Sequence, residues 1–362
     1  MRIVSPLLKN LVYPLLSEGG VFHRTSASGI AIVTYHGVVP PGYEPVDAAF
    51  DGNLVSAEML RRQLRLLKAH YDVITPEDFL SWRQSGQKLP RRAVLLTCDD
   101  GLLNCLTDML PVLQEENVKC LFFVTGASAE QSRSMLWYEE LFLFFRNAPG
   151  GPFEVSSEGI VTQGLLDGHE QRRAIWWESV KRLSRADPLR RRSFVHALRD
   201  HFHLEANGSF CDADSASGRR LGLLNCAELR QLASAGMSIG AHTLTHPMLS
   251  QLPPEQAYEE IVESRARLEA VVQGTVWAFA YPFGDPQSVT PQVLTMAQRA
   301  GYQAAFLNFG GGLGSDLPVF ALPRIHVTAA MSLPEFEAHV CGFYTRLQRY
   351  VGRNSDTGMT HS

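Results

Sequence analysis

No stretch of this 362-residue chain is long and apolar enough to cross a membrane as a helix. Neither sign of charge dominates. Thirty-three Lys and Arg against 37 Asp and Glu leave a net charge of −4, which argues against nucleic acid as the main partner. Cysteines are few, six in all, with no CxxC pair. Several lie in apolar runs, so reduced, buried thiols are expected. There is no internal repeat and no long low-complexity tract. At the N-terminus Ile3–Leu8 is broken by Pro6 and stopped by Lys9 and Asn10, and Leu11–Leu16 is interrupted by Pro14 and followed by Glu18. Neither reads as a secretory core. The expectation is a cytoplasmic protein, or one peripheral at the inner membrane face, with export left open. A hydrophobic content of 45% is enough for one large domain with additions.

Taken in order, residues 1–28 form an amphipathic lead-in, with Leu7, Leu8, Leu11, Val12 and Leu15 on one side. It either packs on the main domain or touches a membrane surface. Ile30–Tyr35 is a buried-strand run ending in His36 and Gly37. Ser56 caps a helix to about Ala69, and Thr75 with Pro76 starts another. Ala93–Thr97 is a second buried strand, and a helix to Glu116 follows it, kinked or begun at Pro111. Lys119–Thr125 is a third strand. Then the strand–helix rhythm stops. Residues 127–224, with Trp137, Leu141–Phe145, Trp176 and Trp177 and an arginine series at Arg172, Arg182 and Arg190–Arg192, read as a mostly helical insertion, either a lid or docking surface or a solvated helical decoration. The rhythm resumes with a helix capped by Asn225, strand Met237–Ala241, a helix over Pro254–Val272 and strand Val276–Tyr281. A helix capped by Thr290, strand Tyr302–Leu307 and a last strand near Phe320–Val327 complete the set. About seven strands alternating with helices predict an α/β fold closed, or nearly closed, as a parallel barrel. The divisions are 29–126 and 225–330 for the two barrel parts and 331–362 for a C-terminal helix and tail.

Chemistry-bearing residues fall at the predicted strand ends, which a barrel gathers on one rim. Asp99 and Asp100 follow Ala93–Thr97, with Gly101 allowing a tight turn. Two adjacent buried acids repel each other, and a divalent cation held by one of them relieves that. His242 and His246, four apart after Met237–Ala241, project to one side of a helical turn. With one aspartate they make a set that leaves coordination positions open. Tyr281-Pro282-Phe283-Gly284 closes a further strand in a turn able to aim a backbone N–H at an oxyanion. His36 closes the first strand. Each motif alone has a plain reading: a capped turn, surface histidines, an ordinary loop, a core histidine.

In this order, Thr97-Cys98-Asp99-Asp100-Gly101, His242-Thr243-Leu244-Thr245-His246 and Tyr281-Pro282-Phe283-Gly284 resemble the metal-dependent polysaccharide deacetylases of the nodulation type, carbohydrate esterase family four. Tyr35-His36 is similar to the branch containing the biofilm poly-N-acetylglucosamine deacetylases. The resemblance covers about Ile30–Gly126 and Asn225–Val327. It implies a distorted (β/α)7 barrel and hydrolysis of N-acetyl groups on an amino sugar in a poly- or oligosaccharide or a lipid-linked precursor. It also implies a divalent ion, Zn2+ first and Co2+ or Ni2+ as alternatives. Asp100, His242 and His246 would hold that ion, Asp99 would be the base, His36 the acid, and the Phe283 N–H an oxyanion donor. Tyr281 and Pro282 would contact substrate. His326, in Leu322-Pro323-Arg324-Ile325-His326-Val327, competes with His36 as the acid. The chain departs from the pattern at Cys98 and Leu102, and at Ala280, where the family often has an arginine that orients the base. No Asp/Trp motif for an acetyl pocket is identified.

Three rival readings stand beside this one. The first is a sugar-binding, catalytically weak or inactive member of the same fold, which the missing arginine favours. The second is a ferrous-iron oxygen enzyme using the same ligand trio. The third is a scaffold bound through the insertion. The oligomeric state is not readable from the sequence.

Overall fold

The computed structural model describes residues 6–25, 29–86, 88–204, 212–285, 288–311, 317–348 and 350. Strands β1 (Gly29–Tyr35), β3 (Arg92–Cys98), β4 (Leu121–Val124), β7 (Ser238–Ala241), β8 (Ala278–Ala280), β9 (Ala304–Gly310) and β10 (Leu322–His326) pair in parallel. They run in the order β1-β10-β9-β8-β7-β4-β3, and β3 pairs back onto β1 over its whole length. The result is a closed barrel of seven parallel strands. An extra short strand, β2 (Asp72–Ile74), pairs with Ala93–Leu95 of β3, while β4 pairs with Thr97 and Cys98 further along. The sequence reading passed over β2, a three-residue strand wedged between two strong helix signals.

Period-two alternation decides what each strand buries. Ile30 and Ile32 of β1, Ala93 and Leu95 of β3, Phe123 of β4 and Phe306 of β9 share an inner cluster, which Phe79 and Trp277 join. Ala31, Val33, Val94, Leu96 and Ile325 belong instead to the layer packed on the surrounding helices, with Leu60, Leu64 and Ile261. Extending the inner set brings His36 and Asp99 to the C-terminal rim. The helices begin where the caps indicate. Ser56 accepts from Met59 N, and Thr75 and Asn225 form capping boxes with Asp78 and Glu228. Pro111 lies at the start of an α-helix over Leu110–Glu115, after a π-helical turn at Cys105–Met109.

Between β4 and β7 the chain leaves the barrel. This excursion has helices Trp137–Asn147, His169–Leu183, Pro188–His201 and Ala216–Leu221. It also holds an antiparallel hairpin that the expectation of a mostly helical insertion did not include. Its strands are β5 (Pro152–Ser157) and β6 (Ile160–Leu165), and Glu158 and Gly159 turn it with positive φ. The excursion has its own core, in which Leu141–Phe145 is wholly buried with Phe153, Trp176 and Phe194. Arginines of this series are committed to carbonyls: Arg172 bonds those of Phe145 and Ala148, Arg182 that of Val161 and Arg190 that of Glu158.

The N-terminal lead-in divides its leucines between two faces. Leu8 and Leu16 pack with Tyr13 and Phe22 against Ala338, Cys341 and Phe343, whereas Leu7, Leu11 and Leu15 are exposed. Among the described residues no helix is long and apolar enough to cross a membrane. Five cysteines are free and buried; Cys211 lies outside the described residues.

Candidate active site

Three side chains converge on the rim. Asp100 Oδ1 lies 3.6 Å from His242 Nε2 and 3.4 Å from His246 Nε2, and all three residues are buried. Asp100 follows the inward-facing Asp99, and a positive φ of 76° swings it toward the histidines. Gly101 repeats that φ; a Cβ there would stand 2.9 Å from Val124, so the turn demands glycine. The histidines are not on a helix, which corrects the expectation. His242–Pro247 is a loop in which Thr243 and His246 adopt φ of 62° and 56°. Two left-handed residues, rather than a helical period, turn both rings toward Asp100.

One carboxylate oxygen and two imidazole nitrogens within 4.8 Å of one another suit a zinc-type ion. The tautomer agrees. His242 Nδ1 donates to the Ala280 carbonyl at 2.8 Å, leaving the Nε2 lone pair for an ion, the usual arrangement around a ligating histidine. Burial pushes the Asp100 carboxyl up, but the imidazoles of His242 and His246 facing it outweigh this and hold it well below the ordinary range.

Asp99 is locked differently. Its oxygens accept from Arg324 Nη1 at 2.7 Å and Nη2 at 2.6 Å, and each residue is 1% exposed. Arg324 Nη1 also reaches Thr97 Oγ1, and Nε donates to the Leu307 carbonyl. Burial alone would raise the Asp99 carboxyl; Arg324 and His242 overcome this and lower it. Asp99 is thus gripped by an arginine from β10, to which the sequence pattern assigns no role.

His36 and His326 are neighbours, with ring centroids 4.8 Å apart. Gly37 makes the turn after His36 at φ 117°, and a Cβ there would strike Asn104 Oδ1, which accepts from Val38 N. His326 is the last residue of β10, level with Thr34, so it closes its strand one residue before the Val327 end expected from the sequence. Burial pushes its pKa down to about 3.

Phe283 sits in a left-handed turn at φ 62°, its ring 5.2 Å from that of His246. Tyr281 is corrected: it does not face the rim. It is 1% exposed in the outer layer, with its hydroxyl donating to the Phe320 carbonyl. Pro282 is buried beside it. The insertion supplies what the sequence reading missed. The Tyr138 ring lies 5.3 Å from His246 and 6.3 Å from Phe283. Only the aromatic pair Trp137-Tyr138, immediately before two acids, marked the place.

A family model described as polysaccharide deacetylase matches residues 86–183 and 209–305. YxkH of Bacillus subtilis (strain 168), provisionally named a polysaccharide deacetylase, is 27% identical over 113 residues, which is 31% of this chain and 39% of that protein. The Streptococcus pyogenes deacetylase PplD, solved in complex with acetate, superposes with a TM-score of 0.55 at 17% identity, covering 87% of this chain and 99% of that one. IcaB from Ammonifex degensii gives 0.54 at 16%, covering 87% and 98%. The two structures share the fold. The model match spans more than half of the sequence, and the chain belongs to the polysaccharide deacetylase family.

Proposed function

We propose that the protein is a metal-dependent hydrolase that removes N-acetyl groups from amino sugars in a poly- or oligosaccharide, or in a lipid-linked glycan precursor. One observation carries the reading: a buried Asp100–His242–His246 trio stands beside a second buried aspartate that is oriented by its own arginine. A divalent ion in the trio, Zn2+ before Co2+ or Ni2+, would lower the pKa of water from about 16 to about 7 and polarise the amide carbonyl.

Asp99 takes the proton of the attacking water. Arg324 keeps this carboxylate ionised and fixes its plane, and each oxygen retains a lone pair for the transfer. The Phe283 N–H, which has no hydrogen-bond partner among the described residues, donates to the oxyanion. As the carbon–nitrogen bond breaks, His36 protonates the departing amine, and acetate leaves with the oxygen of water. Burial favours the neutral form of His326 beside it, which makes that ring the weaker candidate for the acid. The Arg324–Asp99 pair supports an active member over a catalytically weak or inactive one, since the proposed base is held in place.

The test is acetate release from a panel of N-acetylated glycans, with chelator and then with added zinc, cobalt or nickel. His246→Ala should lose both metal and activity, whereas Asp99→Asn should keep the metal and lose turnover. Native-rate hydrolysis by Asp99→Asn, or release unaffected by chelator, would rule the reading out.

A further inference from the structure

The loop carrying the two histidines is strained at Thr243 and His246, and left-handed non-glycine residues persist only where their surroundings over-determine them. Three parts of the molecule supply those surroundings. The barrel contributes Gly126 N, which donates to the Thr243 carbonyl at 2.8 Å. Helix Pro254–Val272 contributes Glu260. One of its oxygens accepts from Leu244 N at 2.9 Å and Thr245 N at 2.8 Å, and the other accepts from Thr245 Oγ1 at 2.6 Å.

The insertion contributes the rest. Trp137 Nε1 donates to the His246 carbonyl at 3.1 Å. Arg191 Nη2 donates to Thr245 Oγ1 at 2.7 Å and to the Thr245 carbonyl at 3.3 Å. The guanidinium lies 4.7 Å above the Trp137 ring, so the two residues brace each other. Arg191 is only 3% exposed and forms no direct ion pair among the described residues. The Thr245 hydroxyl stands between Arg191 and Glu260, accepting from one and donating to the other. A buried cation spent on a loop hydroxyl and a carbonyl is costly unless the order it imposes is used.

We propose that Trp137 and Arg191 are positioning residues of the metal centre, holding the Thr245 and His246 carbonyls from the insertion while Glu260 holds the loop N–H groups from the barrel. The insertion is then part of the scaffold that keeps both imidazole Nε2 atoms turned to Asp100. This rests on reading Asp100, His242 and His246 as ligands. If the contacts served only to dock the insertion, their loss would lower stability and leave ion affinity unchanged.

Zinc affinity of the full chain, measured by competition with a chromophoric chelator at fixed pH, separates these outcomes. Trp137→Phe keeps an aromatic ring while removing the indole N–H together with its five-membered ring. Arg191→Met keeps most of the length and removes the donors. Thr245→Val breaks the relay to Glu260. Each should weaken Zn2+ binding by about 10–100-fold, the range seen for outer partners of metal ligands, and Arg191→Lys should recover part of the loss. If Arg191→Met fails to fold, Trp137→Phe and Thr245→Val, each changing one polar atom, decide the matter. Parental zinc affinity in Trp137→Phe and Thr245→Val overturns the proposal, whatever happens to Tm. Asp100→Ala tells the two readings apart: if it too binds Zn2+ as the parent does, the ligand assignment itself fails.

Discussion

Arg324 meets Asp99 nitrogen to oxygen in two parallel bonds of 2.7 and 2.6 Å, from positions 225 residues apart in the chain. A planar guanidinium can satisfy both carboxylate oxygens at once, which an ammonium cannot. Buried at 1% exposure each, the two charges are tolerable only together.

Arg324→Met should therefore cost about 3–5 kcal/mol of stability, because it strands the Asp99 charge. It should also raise the Asp99 pKa and move the acidic limb of the kcat/KM profile to higher pH. In an Asp99→Asn background the same substitution should cost clearly less, since no charge is left unpaired. Denaturant midpoints for the four proteins of this cycle provide the check. Equal costs in both backgrounds would show that the pair is not the source.

In the proposed reaction the leaving-group proton comes from one of two adjacent imidazoles, His36 and His326. His36→Ala should keep the ion and lower kcat by about 10²–10⁴-fold, the usual worth of a positioned acid, and the alkaline limb of the pH–rate profile should go with it. His326→Ala should retain that limb. The reverse result would transfer the role to His326.

Two histidines are stored neutral. Burial holds His326 at about 3 and His339, in helix Leu333–Val340, at about 4, against an ordinary 6.5. Since the folded values lie below the unfolded one, the unfolded chain binds more protons across this window. Stability is then complete above about pH 6.5 and falls as the pH drops toward the folded values, by about 2 kcal/mol per histidine at pH 5. His339 lies outside the candidate site, so His339→Gln is the cleaner probe. It should shrink the difference in unfolding free energy between pH 7.5 and pH 5 by about 2 kcal/mol. An unaltered difference would show that His339 does not titrate this way.

Much of the site was legible because it lies at strand ends. A short apolar run followed by Asp99 and Asp100, or by His36, announces both a buried strand and a group placed at its rim. Tyr281 shows where that logic stops. One step in the period-two alternation separates the rim from the outer layer, and short β8 ends at Ala280 with Phe279 and Tyr281 turned outward. The His242–His246 spacing was informative for a different reason than the one assumed. The rings converge through two residues of positive φ, which no helical periodicity encodes.

By itself the sequence determined the barrel, the helix starts at Ser56, Thr75 and Asn225, and which residues are candidates for holding an ion, since each of these is written in local order: alternation, caps, strand-end polarity. Only the tertiary structure decided which arginine holds Asp99, that His36 and His326 lie side by side, and that Trp137 and Arg191 reach the histidine loop. Those contacts join segments from 54 to more than 200 residues apart. Closing the barrel and folding the insertion back on its rim creates such neighbours, and no local pattern in the chain carries them.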